Sequence, residues 1–291
     1  MDYFPQEKAI PIRNPSTALL CIDSADRNTS LYPLANDFKI QRTNTIANGF
    51  FTRVAVSEMV LDWNTPNVSS GIGNLTFSIT ISGTTYIAII NFGFYTAYQA
   101  LQAILTALNA SGTGVTWSLA NPIPGAVYLY ASTSTTFTVV NSLLARQLGI
   151  PVGVPITVGT TASAGLLINS IDLRPCRYLD VVSPTLTYTQ KVRDVSTSSL
   201  VRDMVTRWYF SWDNVPASLD AYGFPILMGY TAFTSRRAFP FPKQINWASN
   251  LPIGNMEFQL YNQDGVIMPI AYTAGANNNT NFLLTLLLSE V

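Results

Sequence analysis

The chain of 291 residues carries 16 basic and 16 acidic residues, so its formal net charge is zero. This balance does not predict strong binding to nucleic acid or to anionic lipid, since both need an excess of Lys and Arg on one face. The sequence contains no histidine, which excludes Ser-His-Asp and Cys-His catalysis and every zinc site that uses an imidazole. No apolar run approaches the roughly 20 residues of a membrane helix, and residues 1–15 lack the pattern of a secretory signal.

The first 16 residues are rich in proline and in charges of both signs, which predicts an extended arm. We expect this arm to be ordered by a partner or by the surface of the body, and its candidate contact residues are Tyr3, Phe4 and Arg13. Two cysteines, Cys21 and Cys176, lie far apart in the sequence. They predict a reduced, intracellular chain, and the sequence leaves a long-range disulfide between them open.

Residues 17–23 predict a short apolar strand, and a turn-rich segment leads from it to residues 38–41. The acidic and amide side chains of this segment suggest a calcium loop, but their spacing lacks the central Gly and final Glu of an EF-hand. We therefore expect carboxylate pairing to Arg27 and Asx turns instead of a metal site. The side chains concerned are Asp23, Asp26, Arg27, Asn28 and Asp37.

Residues 51–68 are the longest segment whose pattern predicts a single strand followed by a sharp, ordered turn. Apolar and polar residues alternate along it, as in a half-buried strand, with one slip at Ser57 and Glu58 that predicts a β-bulge. Pro66 follows shortly after Trp63. Because proline fixes φ and restricts the residue before it, we expect an ordered exit from the strand.

Residues 63–145 contain no Asp, Glu, Lys or Arg. At the 11% charge of the whole chain, about nine charged residues would be expected there, so the depletion needs a cause. A large neutral surface suits a protein whose faces are buried in an assembly, since the cores of interfaces are poor in charge. The alternative is an ordinary β-insertion with hydroxyl-rich faces.

The uncharged stretch predicts a compact module of strands and two short helices. A hairpin is expected through Gly83, and residues 95–109 have helical spacing with a capping box formed by Thr96 and Gln99. A second helix is predicted with Asn141 as its N-cap and Gly149 as its end. The Gly- and Pro-rich residues 149–169 are expected to be a connector back to the body.

The carboxy-terminal part of the chain regains its charges and predicts further strands. Residues 177–183 predict a strand and residues 185–194 a polar loop, while residues 199–212 favour a strand with an irregular start. A hairpin is predicted at residues 256–270, with Asp264 and Gly265 in left-handed turn positions. The final residues, NFLLTLLLSEV, predict a buried strand.

No motif in the sequence nominates a catalytic, cofactor or metal site. Gly71 and Gly73 are not followed by the helix start that a phosphate-binding loop requires. The adjacent Arg236 and Arg237 suit either a partner contact or an ordinary solvated loop. The five tryptophans suit either the core or sugar-stacking platforms, and most tryptophans at strand spacing belong to the core. They are Trp63, Trp117, Trp208, Trp212 and Trp247.

Several blocks of the sequence, taken in order, resemble the minor capsid and penton-type proteins of large icosahedral DNA viruses and of virophages. The blocks are DSADRN with YPLANDFKI, LDWNTPNV, RYLDVVSPTLTYTQKVRD, FPKQINWASNLPIGNMEFQLYNQDG and FLLTLLLSE. Each motif alone is weakly specific, but their order and spacing match over nearly the whole chain.

The resemblance implies a mainly β protein, an antiparallel jelly-roll sandwich with an inserted small α+β module. It implies an arm at residues 1–16, a body at residues 17–83 and 166–291, and an uncharged insertion at residues 84–165. It also implies a location in the virion, after synthesis in the host cytoplasm. The lack of a catalytic motif in the sequence predicts no enzymatic activity. The implied partners are the major capsid protein, other minor capsid proteins and further copies of the chain, with five copies in a penton, but not nucleic acid or a membrane interior.

On this resemblance the chain assembles through its arm, its uncharged module and the loop at residues 236–242. The candidate contact residues beyond the arm are Trp117, Arg236, Arg237 and Phe239. Two alternatives stay open: a minor capsid protein that lines or cements the lattice of the major capsid protein, and a carbohydrate- or receptor-binding β module that uses exposed aromatic side chains.

Overall fold

The structure is a computed structural model that describes residues 16–41, 46, 51–187, 194–195, 201–202, 204–210, 218–246, 254–268 and 280–290. Within these residues the chain forms eighteen strands, all paired antiparallel, and three α-helices. The strands are β1 Thr17–Asp23, β2 Asp37–Gln41, β3 Arg53–Trp63, β4 Thr76–Ile81, β5 Thr84–Ile89, β6 Trp117–Ile123, β7 Ala126–Ala131, β8 Thr135–Val139, β9 Pro155–Val158, β10 Leu166–Ile168, β11 Tyr178–Val182, β12 Asp194–Val195, β13 Val201–Arg202, β14 Met204–Tyr209, β15 Phe233–Ala238, β16 Ile245–Asn246, β17 Asn255–Asn262 and β18 Asn281–Ser289. The helices are α1 Ala97–Ala110, α2 Leu143–Gln147 and α3 Pro184–Thr187.

Two sheets make the body of the molecule. The first has the strand order β1-β18-β3-β15, with β16 also beside β3, and the second has the order β14-β11-β17-β2. Along the chain, successive long body strands change sheet at every step except from β11 to β14. This exchange between two antiparallel sheets is the jelly-roll arrangement, and the predicted fold class is confirmed.

The core of the body lies between the two sheets. Phe38 of β2 packs 5.6 Å from Phe282 of β18, measured between ring centres, so the aromatic rings join one sheet to the other. At the opposite side of the sandwich, Trp63 lies 5.0 Å from Phe210, which follows β14. The alternation of residues along β17 and β18 places every second side chain in this core.

The predicted bulge in β3 is confirmed. The register between β3 and β18 shifts at Thr285 and Leu286, which face Glu58 and Val56, so that Ser57 is the extra residue. The hydroxyl of Ser57 donates a hydrogen bond to the carbonyl of Thr285 at 3.0 Å. The bulge shifts the alternation by one residue, which allows both halves of this 11-residue strand to keep apolar side chains in the core.

A second core lies in the module between β3 and β11. One sheet of the module has the order β5-β4-β8-β9, the other has the order β10-β7-β6, and α1 packs between them. The capping box predicted for α1 is present, since Thr96 accepts from the N–H of Gln99 and Gln99 accepts from the N–H of Thr96. The residues of this core run from Val68 to Leu173 and are joined by three later ones, Phe224, Leu227 and Tyr230.

The structure corrects several local predictions. The N-cap of α2 is Ser142 rather than Asn141, because the Ser142 hydroxyl accepts from the N–H of Ala145 at 3.2 Å. The predicted connector at residues 149–169 contains β9 and β10, and the predicted polar loop begins with α3. In the hairpin after β17, Gly265 has a positive φ but Asp264 does not. The guanidinium of Arg27 donates to the carbonyls of Ser24, Tyr32 and Pro33 and not to the predicted carboxylates.

Candidate interaction surfaces

The outer face of the module sheet β5-β4-β8-β9 is uncharged. Its strands alternate, so Phe77 and Ile79 point into the module core while their neighbours point outward. The edge strand β5 adds two exposed isoleucines, with 56% of Ile87 and 66% of Ile89 accessible. Besides these two, the outward residues are Thr76, Ser78, Thr80, Thr85, Thr136, Thr138, Pro155 and Thr157. We call this surface the threonine face.

Hydroxyl groups on the threonine face bond to one another across the strands. The hydroxyls of Thr80 and Thr85 lie 3.0 Å apart, and those of Thr136 and Thr157 lie 2.8 Å apart. A hydroxyl that already has a partner costs less to remove from water than a charge or an unpaired polar group. The face can therefore be covered by another protein at a low desolvation cost.

A loop after β15 carries the most exposed large apolar side chain in the described part of the chain. Phe241 is 96% exposed and stands between Pro240 and Pro242. The pyrrolidine ring of each proline fixes its φ angle, so the backbone on either side of the phenylalanine loses little conformational entropy when a partner binds. We call residues 239–243 the Phe241 loop.

Basic side chains surround the Phe241 loop. Arg236 points outward from β15 and donates to Glu58 on the neighbouring strand at 2.6 Å. This ion pair raises the pKa of Arg236. Arg237, on the other side of the strand, is half-buried, and Lys243 donates to the carbonyl of Met204 at 2.8 Å. The loop thus has an apolar tip, and beside it the basic side chains outnumber the one acidic side chain, Glu58.

A groove of about 620 Å³ lies along β1 and β2, at the other lateral edge of the sandwich. Leu20, Ile22 and Ile40 line its floor, and the exposed Leu31 stands on its rim. The groove is also lined by two carboxylates and one ammonium group, from Asp23, Asp26 and Lys39, and at its edge by Cys21, which is exposed on the outward side of β1. We call it the β1–β2 groove.

A cavity of about 380 Å³ separates the module from the body. Within it Arg174 binds Asp172 with both ends of its guanidinium, at 2.8 and 2.6 Å, and donates to the carbonyl of Phe210 at 3.1 Å. Burial alone would raise the pKa of Asp172, but the hydrogen bonds and charge of Arg174, with the charge of Arg177, hold that pKa below its usual value. Near neutral pH the ion pair therefore orients Arg174, whose hydrogen bond to Phe210 reaches the body.

Comparison with known proteins identifies similar proteins by structure but not by sequence. No protein-family model and no curated protein matches the sequence. Among solved structures, the mavirus penton protein superposes on 96% of this chain and on 100% of its own, with a TM-score of 0.54 and 11% sequence identity. The chain has the fold of a virophage penton protein. A chain from the cryo-EM structure of the Sputnik virophage superposes on 95% of this chain and on 98% of its own, with a TM-score of 0.50 and 13% identity. The resemblance inferred from the sequence is confirmed at the level of the fold.

The structure places the predicted contact residues in three different settings. Tyr3, Phe4 and Arg13 lie outside the described residues. Trp117 does not lie on the surface: it is 1% exposed, packs 5.1 Å from Phe137 and donates its indole N–H to the Thr113 hydroxyl at 3.2 Å. It stabilises the module core and presents no surface to a partner.

The remaining predicted contacts lie within the Phe241 loop or just before it. Arg236 is exposed, Arg237 is half-buried, and Phe239 packs against the body core. The sequence prediction included Phe241 in the loop at residues 236–242 but did not single it out, although the pattern that exposes it is visible. In the strand before the loop, odd-numbered residues point inward, and Pro240 and Pro242 end the strand so that Phe241 cannot return to the core.

The described residues contain no group of three or more His, Cys, Asp or Glu that could hold a metal ion. The thiol of Cys176 is buried, and burial raises its pKa well above the usual value, so it is not an activated nucleophile. Trp63 and Trp208 are fully buried and offer no platform to a sugar, while Trp212 and Trp247 lie outside the described residues. None of the described helices is both long enough and apolar enough to span a membrane.

Proposed function

We propose that this chain is a structural protein of an icosahedral virus capsid, a single jelly-roll penton protein located at the vertices of the virion. The observation that carries the proposal is that one penton protein superposes on 96% of this chain, body and module together. A fold shared over nearly the full length supports a shared architectural role more strongly than a shared jelly roll alone, since jelly rolls serve many functions.

The threonine face supports assembly as the mode of action. A vertex protein is surrounded by neighbours, and a face without charge can be buried against them without leaving an unpaired ion. The partners in this proposal are further copies of the chain, the major capsid protein and other minor capsid proteins. The arm of residues 1–16 is a further candidate contact with a neighbour.

The first test is native mass spectrometry of the purified protein over a concentration series. The expected result is a closed pentamer whose abundance rises with concentration. A population of open chains without a preferred size would contradict the closed ring, and monomers at every concentration would move the assignment to a protein that lines the lattice.

A charge placed in the threonine face provides the second test. Ile87→Lys should leave the monomer folded, because the side chain is 56% exposed, but should reduce incorporation into shells at least tenfold, because a buried unpaired ammonium is costly. The matched control is Leu219→Lys, at a position 63% exposed outside this face. Equal incorporation of both variants and the wild type would show that the face stays in solvent.

A further inference from the structure

The two lateral edges of the body differ in shape and charge. The outer strands of the first sheet are β1 and β15, and those of the second sheet are β2 and β14. The pairs meet across the sandwich, since the β1–β2 groove is lined by both of its strands, while Phe210 after β14 lies 5.9 Å from Phe233 of β15. The groove and the Phe241 loop therefore belong to opposite edges of one molecule.

The Phe241 loop has the features of an anchor for a protein partner. Aromatic side chains that enter a pocket dominate the binding energy of many interfaces, and a rigid backbone reduces the entropy lost on binding. A phenylalanine that is 96% exposed buries nearly all of its surface only when something outside the chain covers it.

The β1–β2 groove has the size and lining to receive that anchor. Its volume of about 620 Å³ accommodates an aromatic ring with the prolines beside it, and its floor is apolar. Its charges are complementary to those beside the loop: Asp23 and Asp26 outnumber Lys39 in the groove, while Arg236 and Lys243 outnumber Glu58, the partner of Arg236, beside the loop. Complementary charges of this kind favour one register of docking over others.

We propose that the Phe241 loop of one copy inserts into the β1–β2 groove of the next copy. This inference rests on the proposed function, since it supplies the contact between neighbouring subunits of a penton. Because the loop and the groove lie on opposite edges, the contact is heterologous, and repetition with a suitable rotation closes a ring. Five such contacts would close a pentamer.

Cysteine cross-linking of the full chain tests the contact directly. Cys21 already lies at the edge of the groove and is exposed, so Phe241→Cys needs no second substitution. Mild oxidation should give a ladder of disulfide-linked multimers up to the ring on a non-reducing gel. The ladder should disappear in the double variant Phe241→Cys with Cys21→Ser. Phe92→Cys, at a position 61% exposed in the module, is the control for random collision.

Removal of the anchor gives an independent measurement. Phe241→Ala should weaken the association of copies about 30-fold or more, as expected for an aromatic anchor, and should leave the thermal unfolding of the monomer unchanged. Phe92→Ala is the matched control and should associate as the wild type does.

The outcomes separate this inference from the proposed function. Pentamers that persist in Phe241→Ala, with no ladder that depends on Cys21, would overturn the loop-in-groove contact and leave the penton assignment standing. A wild type that stays monomeric at all concentrations, with a cross-linking yield no higher than that of Phe92→Cys, would overturn both. An intramolecular disulfide between Cys21 and an introduced Ile10→Cys, formed independently of concentration, would assign the groove to the chain's own amino-terminal residues and overturn the contact.

Discussion

At the scale of single residues, a buried carboxylate in the body has a close cationic partner. On the outer side of the second sheet, Arg207 donates to both oxygens of Asp180, at 2.6 and 3.1 Å. Its guanidinium also stacks 3.9 Å from the ring centre of Tyr178. The hydrogen bond to Asp180 raises the pKa of Arg207. Only 1% of the Asp180 side chain is exposed, so this carboxylate depends on partners within the protein.

Arg207→Met should therefore destabilise the fold by about 3 kcal/mol, because it removes the guanidinium from a buried carboxylate. The measurement is the free energy of unfolding in urea at neutral pH. Arg236→Met is the matched control, since the Arg236 side chain is 74% exposed in its ion pair with Glu58 and exposed pairs contribute little. Equal losses in both variants would contradict the interpretation.

Local residue chemistry could be predicted from the sequence where it depended on near neighbours. The cap of α1 needs only Thr96 and Gln99, three positions apart, and was predicted correctly. The choice of Ser142 over Asn141 as the cap of α2 could not be made, because both residue types cap helices well. The role of Arg27 could not be predicted from the sequence either, because its hydrogen-bond acceptors are backbone carbonyl groups, which every residue carries.

At the scale of elements, the end of α2 depends on a glycine. Gly149 has φ of +66°, and a Cβ atom there would lie 2.4 Å from the carbonyl oxygen of Ser170. The chain after β10 returns to this point, where the N–H of Asp172 donates to the carbonyl of Gln147 at 2.7 Å. Glycine is therefore required at this position for two reasons: it adopts the left-handed conformation, and it leaves room for the backbone that approaches it.

Gly149→Ala should cost about 3 to 4 kcal/mol in the free energy of unfolding, the sum of the left-handed penalty and a clash with backbone. Gly153→Ala is the control that separates these two terms. Gly153 has φ of +71° and no atom within 4 Å of its ideal Cβ position, so its loss should be only about 1 to 2 kcal/mol. The prediction fails if the two variants unfold at the same urea concentration.

Long and regular elements could be predicted, and short ones could not. The alternation in β3 is strong enough to predict both the strand and its bulge. In contrast, β9 and β10 have four and three residues and lie among glycine, proline and threonine, which are also typical of connectors. Their pairing with β8 and β7 is what makes them strands, and the sequence does not contain that information locally.

At the scale of the whole molecule, the module is held by more than its two connections to the body. The segment at residues 218–230, between β14 and β15, returns to the module. Asp220 accepts from the N–H of Tyr98 in the first turn of α1 at 2.7 Å, which supplies a negative charge to the helix N-terminus. Asn121 donates to the carbonyl of Tyr222 at 3.0 Å, and the Tyr230 side chain completes the module core.

Tyr230→Phe tests this attachment. The Tyr230 hydroxyl accepts from the buried N–H of Leu173 at 2.9 Å, so its removal leaves a backbone donor without a partner and should cost about 1 to 3 kcal/mol. Tyr86→Phe is the control, because the Tyr86 hydroxyl has no hydrogen bond among the described residues. Hydrogen exchange should show the increase in opening at both Leu173 and the segment of residues 218–230. An increase confined to one of them would contradict a shared attachment.

The overall architecture was predicted by resemblance and not by local pattern. The blocks that carry the resemblance lie mostly in body strands, and these form the jelly roll. The return of residues 218–230 to the module was not predicted, because Asp220 and Tyr98 are 122 residues apart and neither is unusual in its own surroundings. The three residues of this segment that are buried in the module core show their role only in the folded structure.

The uncharged stretch also affects how the protein withstands digestion. Proteases that cut after Lys or Arg, and those that cut at Asp or Glu, find no cleavage site in residues 63–145. These residues form most of the module, including α1 and three of the four strands of the sheet that bears the threonine face. A particle that carried this protein into an environment rich in such enzymes would keep that part of its surface uncut even where neighbouring loops were nicked.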